Sequence, residues 1–162
     1  FLEPMGHEIA TRTPDQKPVI TQHRARFDPD FLVIVQGQTV AFPNNDRILH
    51  NVFSYSNAKK FDLGLYRQGE SREVTFPHPG VVETFCSIHS SMYAQIYIAP
   101  NPYYAVTDEK GQYRIDSVPV GKYRLRTWNK RLPEGVESVE ITEINVNSQH
   151  PVVVDVELGG QQ

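Results

Sequence analysis

Apolar and polar residues alternate along most of the chain in short runs, and glycine, proline, asparagine and aspartate separate one run from the next. Alternation of this kind is typical of β-strands that bury one face, and the separating residues are the ones that form turns. The pattern therefore predicts an all-β protein. The predicted strands are 19–27, 31–35, 39–43, 50–55, 72–76, 81–86 and 94–98, followed by 103–107, 112–116, 122–128, 137–146 and 151–158.

The strands fall into two groups, separated by the Pro-Asn-Pro segment at residues 100–102. Residues 1–18 are interrupted by prolines and have no periodic pattern, so we predict an extended N-terminal arm. Residues 19–100 have the strand spacing of a Greek-key sandwich. Residues 101–162 predict a second, smaller β-sandwich-like module. This module is short for a closed sandwich, and we expect it to borrow either the strand ending at Ile98 or part of the arm.

Composition and charge exclude several classes of protein. The chain has 162 residues, a net charge of −3 and a single cysteine. A mild excess of acidic residues cannot neutralise a run of phosphates, which argues against nucleic-acid binding. The longest apolar stretch, residues 31–35, is far shorter than a membrane span requires, so we expect none. One cysteine permits no internal disulfide, no Cys-x-x-Cys redox pair and no iron-sulfur cluster.

The candidate chemistry lies in the loop that follows the strand at 81–86. Cys86, His89 and Met92 stand three residues apart, so one loop can direct a thiolate, an imidazole and a thioether at a common centre. His50, at the start of an earlier strand, is the natural fourth ligand. Two imidazoles, one thiolate and a weak axial thioether are the donor set of a blue-copper electron-transfer site. Soft sulfur favours Cu(I) and imidazole suits Cu(II), so a compromise geometry held by the fold needs little rearrangement when an electron moves.

Residues 19–99 resemble the cupredoxins, the family of plastocyanin, pseudoazurin and amicyanin. By position, the resemblance implies that His50, Cys86, His89 and Met92 bind one mononuclear copper ion, and that His89 is the electron port near the surface. The short spacing of two residues between His89 and Met92 resembles that of the ligand loop of amicyanin. The matching pieces are Gly37-Gln38-Thr39-Val40-Ala41-Phe42, Asn45-Asp46, His50-Asn51-Val52, Phe76-x-x-Pro79-Gly80 and Cys86-x-x-His89-x-x-Met92.

The same resemblance implies a function and a setting. It implies a type 1 copper protein that carries single electrons, turns over no substrate and is periplasmic or extracytoplasmic. We expect protein redox partners to dock near His89, over the apolar rim of Ile88 and Tyr93. Asn51 resembles the residue that ties the two ligand-bearing loops together in the family, with Ser87 as its expected partner, and such outer bonds orient ligands and tune the potential.

The second module also resembles a known family. The segment from Ala105 to Leu125 is similar to the transthyretin-like β-sandwich of the carboxypeptidase regulatory type, and the similarity covers roughly residues 102–158. The resemblance implies a structural or interaction role without peptidase chemistry. It also makes a homo-oligomer formed through this module possible.

Several alternatives stay open from the sequence. Copper storage or delivery to another protein is the main one. Cys86 and His89 could form a nucleophile and base, but no oxyanion hole or orienting third group is evident. A structural zinc site would more often use cysteine pairs. A purely structural β protein with vestigial ligands is a further alternative. The basic residues from Lys122 to Arg131 are either a solvated face or a docking patch.

Overall fold

A computed structural model of the chain describes residues 1–9, 14, 16–130, 132 and 138–157. The chain divides into two compact units, one of residues 12–102 and one of residues 1–11 with 103–162. All regular structure in the described ranges is β, which confirms the predicted fold class. Nowhere in those ranges is there a helix that would be able to span a membrane.

The unit of residues 12–102 consists of two main layers of strands. One layer is a five-stranded sheet in the order β4-β10-β9-β6-β7, in which β4 and β10 are parallel and the other neighbours are antiparallel. The other layer contains the antiparallel pair β5-β8, and β2-β3 form a hairpin. The strands are β2 (Thr21–Gln22), β3 (Phe27–Asp28), β4 (Phe31–Val35), β5 (Thr39–Pro43), β6 (Phe53–Ser54), β7 (Phe61–Asp62), β8 (Ser71–Thr75), β9 (Gly80–Phe85) and β10 (Tyr93–Ala99).

The core of this unit is built from the inward residues of both layers. Val40 and Phe42 on β5 alternate with less buried neighbours, as expected for a strand with one buried face. Ile96 and Ile98 on β10 are fully buried, and they belong to the same apolar cluster. Cys86 and Met92 are also members of this cluster, so the candidate ligand loop begins and ends in the core.

The other unit is a three-stranded antiparallel sheet in the order β1-β11-β12. Its strands are β1 (Leu2–Pro4), β11 (Gly121–Thr127) and β12 (Val139–Val146). Leu2, Tyr123 and Leu125 form a small buried core. The sequence left two candidates for a borrowed strand, and in the structure residues 2–4 pair with β11. The arm predicted over 1–18 is therefore divided, because its first part supplies this edge strand.

Three predicted strands of this unit are wrong. Residues 103–107, 112–116 and the described part of 151–158 contain no strand. Apolar residues in these segments, such as Ile115 and Val154, nevertheless pack against the small core. A side chain can be buried wherever it is apolar and suitably placed, whereas a strand also needs a neighbouring strand for its backbone hydrogen bonds. Alternation of apolar residues in the sequence indicates burial but does not indicate whether such a neighbour is present.

Two predicted strands of the larger unit also differ from the structure. The run predicted over 19–27 is a hairpin, since the chain turns at residues 23–26 between β2 and β3. The run predicted over 50–55 is a strand only at Phe53–Ser54.

The basic stripe on β11 is largely paired with acidic residues. The Nε atom of Arg124 lies 3.5 Å from a carboxylate oxygen of Glu140, and Nη1 of Arg126 lies 3.2 Å from one of Glu3. These pairs favour a solvated, self-neutralised face over a docking patch. Arg131 lies outside the described residues.

Candidate metal centre

His50 is held in the larger unit by a backbone bridge to Tyr66. Its N–H donates to the carbonyl of Tyr66 at 3.2 Å, and the N–H of Tyr66 donates back to the carbonyl of His50 at 2.9 Å. The side-chain amide of Asn44 also donates to the Tyr66 carbonyl, at 3.0 Å. This reciprocal bridge places the imidazole in the interior, where its exposed fraction is 0%.

The loop between β9 and β10 carries the other candidate ligands. Cys86 follows the last residue of β9, and its side chain is buried. The N–H of Met92 donates to the carbonyl of His89 at 3.0 Å and closes the loop into a turn before β10 begins. His89 is half-buried, whereas its neighbour Ile88 is 51% exposed. The loop therefore directs its thiol inward and brings one imidazole close to the surface.

The structure brings His50, Cys86 and His89 to one point. The Nδ1 atoms of the two histidines are 3.1 Å apart. The sulfur of Cys86 lies 3.9 Å from Nδ1 of His50 and 3.7 Å from Nδ1 of His89. Two residues separated by 36 positions in the chain thus meet, as the sequence predicted.

The spacing of these atoms fits a metal ion bound by all three. Typical zinc bond lengths of about 2.0 Å to nitrogen and about 2.3 Å to sulfur, at roughly 120° between ligands, separate nitrogen from sulfur by about 3.7 Å. The observed sulfur–nitrogen separations of 3.7 and 3.9 Å are close to this value, and the 3.1 Å between the two nitrogens corresponds to a narrower angle of about 100° at the ion. The donor set of two imidazoles and one thiolate matches the preference of copper.

Met92 is fully buried in the same apolar cluster as Cys86. Its place in the chain, three residues after His89, makes it the candidate for a fourth ligand. Its role as the axial ligand stays a prediction.

Asn51 links the two segments that carry the candidate ligands. Its side-chain oxygen accepts a hydrogen bond from the backbone N–H of Ser87 at 3.2 Å, next to Cys86. Its amide nitrogen donates to a carboxylate oxygen of Asp62 at 2.6 Å, and that oxygen also accepts from the N–H of Gly64 at 2.8 Å. Asn51 is itself buried, whereas Ser87 and Asp62 are exposed. The sequence indicated the pair of Asn51 and Ser87, but nothing in it indicated Asp62.

Asp46 contacts the ring nitrogen of His50 that points away from Cys86 and His89. Its Oδ2 atom is 2.8 Å from Nε2 of His50. The same carboxylate accepts hydrogen bonds from the backbone N–H groups of Arg24 and Ala25, at 2.6 and 2.8 Å. Burial raises the pKa of this carboxyl, but the hydrogen bonds from Ala25, His50 and Arg24 outweigh it and hold the pKa below its ordinary value.

The sequence analysis did not identify this role of Asp46. The only signal in the chain was the Asn45-Asp46 turn four residues before His50, which also occurs among the pieces that resemble the cupredoxins. Turn residues of this kind are common without any link to a ligand, so spacing alone does not single it out.

Comparison with known proteins assigns the family. Residues 15–99, more than half of the chain, match the model of copper binding proteins of the plastocyanin/azurin family, and the chain belongs to that family. It is a cupredoxin whose copper-binding domain contains His50, Cys86 and His89 as a convergent donor group. A comparison with curated proteins gave no match.

Among solved structures, the chain is similar to the reduced Cu(I) form of an amicyanin variant, with 18% identity, a TM-score of 0.48, and coverage of 52% of this chain and 84% of the other. It is also similar to a purple cupredoxin from Nitrosopumilus maritimus, with 24% identity, a TM-score of 0.46, and coverage of 51% and 100%. A third similarity is to a copper-containing nitrite reductase from Thermus scotoductus, with 24% identity, a TM-score of 0.49, and coverage of 59% of this chain and 25% of that enzyme.

Proposed function

We propose that this cupredoxin carries single electrons between protein partners. His50, Cys86 and His89 bind one copper ion in this proposal, and Met92 is the weak fourth ligand. Bound copper supplies a centre that alternates between Cu(I) and Cu(II). The observation that supports the proposal best is the convergence of the three donor atoms, with 3.1 Å between the two nitrogens and 3.7 and 3.9 Å from sulfur to nitrogen.

The protein's own contribution is rigidity. His50 is held by the backbone bridge to Tyr66 and by Asp46, and the Cys86 loop is joined to the His50 segment through Asn51. Ligands that stay in place when the charge of the ion changes keep the reorganisation energy small, which is the condition for fast electron transfer.

The surface around His89 provides the route for the electron. Ile88 and Tyr93 are 51% and 38% exposed, and in the sequence they stand one residue before and four residues after the half-buried His89. An apolar rim of this kind permits a brief docking contact, since little charged surface has to be desolvated. We propose that redox partners dock here, in a periplasmic or extracytoplasmic setting, and that the protein turns over no substrate of its own.

We propose that the unit of residues 1–11 and 103–162 is a transthyretin-like module with a structural or interaction role. The protein forms homo-oligomers through this module in the proposal. Sedimentation of the full chain over a range of concentrations tests this part. A monomer at every concentration contradicts the oligomer.

Stopped-flow oxidation and reduction of the copper-loaded protein tests the electron-carrier function. We expect fast exchange with small inorganic redox reagents and no loss of copper to a chelator during repeated cycles. Rapid capture of the copper by a chelator in either oxidation state would instead favour the alternative, a copper carrier. Ser90→Ala, a change at an exposed position of the same loop, is the matched control and should behave as the unchanged protein does.

A further inference from the structure

The carboxylate of Asp46 lies directly behind the imidazole of His50. Its Oδ2 atom is 2.8 Å from Nε2 of His50, and the other ring nitrogen, Nδ1, is the one that lies near His89 and Cys86. The His50 ring is fully buried, so water does not compete with Asp46 for the Nε2 position.

This contact determines which nitrogen of His50 carries the proton. A neutral imidazole has one N–H group, and an ionised carboxylate can only accept a hydrogen bond. The proton therefore belongs on Nε2, and the lone pair of Nδ1 points to the metal position. Ligand histidines in metal sites are commonly oriented by such an acceptor on the second nitrogen.

The carboxylate is itself held independently of His50. The N–H groups of Arg24 and Ala25 donate to its two oxygens at 2.6 and 2.8 Å. Arg24 and Ala25 have φ angles of 54° and 52°, and this conformation directs both N–H groups toward the same carboxylate. Backbone donors in a closed hairpin turn cannot rotate away, so Asp46 offers His50 an acceptor in a defined position.

We propose that Asp46 is a positioning residue of the copper centre: it sets the tautomer and orientation of His50, and its negative charge stabilises Cu(II) relative to Cu(I). The inference rests on the proposed role of His50 as a ligand. Asp46 reaches the copper only through the imidazole, and so acts through another group.

The first test uses the metal-free protein and needs no variant. Long-range proton-nitrogen NMR distinguishes the two neutral tautomers of a histidine. We expect the Nε2-protonated form of His50 in the unchanged protein and an increased share of the other form in Asp46→Asn and Asp46→Ala. A His50 ring protonated on Nδ1 in the unchanged protein would overturn the inference.

The second test measures the reduction potential of the copper-loaded protein. In Asp46→Asn we expect the affinity for Cu(II) relative to Cu(I) to fall about tenfold, which for one electron is a rise of about 59 mV. Glu73→Gln is the charge-matched control, because it removes a half-exposed carboxylate on β8 that pairs with Lys17. The potential of this control should stay near that of the unchanged protein.

The two measurements separate the possible failures. A lower free energy of unfolding in Asp46→Asn with an unchanged potential and an unchanged tautomer would mean that Asp46 only holds the hairpin turn, and would contradict the inference. If the unchanged protein binds copper without a thiolate-to-copper absorption band, the proposed function fails, while the NMR result on the metal-free protein still decides the role of Asp46.

Discussion

Among the side chains of the proposed copper centre, Met92 is the one whose role is easiest to isolate. It is fully buried and is the last residue of the loop that begins at Cys86. In Met92→Leu the blue colour should persist and the potential should rise, whereas Met92→Gln should lower it because an amide oxygen favours Cu(II). Each change should be on the order of tenfold in the ratio of the Cu(II) and Cu(I) affinities. Two variants with unchanged potentials would remove Met92 from the ligand set.

Asn51 has a different task, because it joins the two segments that carry the proposed ligands. Asn51→Ala leaves the N–H of Ser87 and the carboxylate of Asp62 without this partner. We expect the free energy of unfolding to fall by about 1–3 kcal/mol and copper affinity to fall by roughly 10- to 100-fold. Denaturant titration and competition with a copper chelator measure the two effects.

Asp62→Ala is the comparison for that variant, since it removes the outer partner of Asn51, together with the acceptor of the Gly64 N–H, and leaves the bond to Ser87 in place. A smaller loss of copper affinity is expected. A loss equal to that of Asn51→Ala would mean that the bond to Ser87 contributes nothing.

Residue types and spacing were enough to predict the three residues that the structure brings together, His50, Cys86 and His89, while the part played by Met92 stays a prediction. A thiol, an imidazole and a thioether in one loop are rare enough to be informative, and His50 was the natural remaining candidate. Asp46 and Asp62 were not found, because a carboxylate in a turn has many ordinary uses. Their roles depend on contacts between distant segments, and the sequence alone does not contain those distances.

At the scale of elements, the hairpin of β2 and β3 contains the least expected local structure. Its two central turn positions, Arg24 and Ala25, both have positive φ values, although neither is glycine, asparagine or aspartate. The two-residue turns that need this conformation strongly prefer those residues. No turn signal was therefore visible, and the sequence predicted one continuous strand over 19–27. The acceptor that compensates for the unusual turn, Asp46, lies some twenty residues further along the chain.

A positive φ strains the backbone of a residue that has a side chain, and Arg24 is exposed, so the strain is testable at this position. Arg24→Gly should stabilise the protein by about 1 kcal/mol, because glycine adopts a positive φ without the steric cost of a side chain. Arg26→Gly, at an exposed position of the same hairpin without a positive φ, should be neutral or destabilising. Thermal or urea unfolding measures both. Equal effects of the two substitutions would show that the turn stores no strain.

We expect Tyr66 to make the free energy of unfolding depend on pH in the alkaline range. Burial raises the pKa of the Tyr66 hydroxyl to about 12, and this group donates a hydrogen bond to the carbonyl of Phe42 at 2.8 Å. The unfolded chain releases this proton near pH 10 and the folded one only near pH 12, so the stabilisation is complete below pH 10 and is lost as the pH rises to 12.

In Tyr66→Phe this part of the pH dependence should disappear. The difference in the free energy of unfolding between the unchanged protein and Tyr66→Phe should change by roughly 2–3 kcal/mol from pH 9 to pH 12, as a shift of two pKa units implies. Urea unfolding of the metal-free proteins across this range measures it. Parallel pH profiles for the two proteins would contradict the assignment.

For the whole molecule, the sequence predicted the all-β class and the larger sandwich well, since alternating apolar residues directly report the buried face of each layer. It predicted the smaller unit less well. Ile115 and Val154 were taken as strand residues, and they contribute to the core without any strand pairing. The strand at Leu2–Pro4 is paired with β11, a partner more than a hundred residues away, and no local pattern indicates that register.

Copper should couple the site to the stability of the molecule as a whole. A ligand that binds only the folded state at a free concentration of 100 times its dissociation constant adds about 2.7 kcal/mol. We expect the copper-loaded protein to unfold at a higher temperature than the metal-free protein, and Cys86→Ser to lose most of the difference. Calorimetry with and without copper measures it, and identical unfolding temperatures in the unchanged protein would support the alternative of vestigial ligands.

The most direct test of the central claim is the visible and electron paramagnetic resonance spectrum of the pure protein after addition of one equivalent of Cu(II). If Cys86, His50 and His89 bind the ion together, an intense thiolate-to-copper absorption and a narrow copper hyperfine splitting will appear, and Cys86→Ser will abolish both. A weakly coloured copper protein with an ordinary wide splitting, or a spectrum that Cys86→Ser leaves unchanged, would contradict the claim.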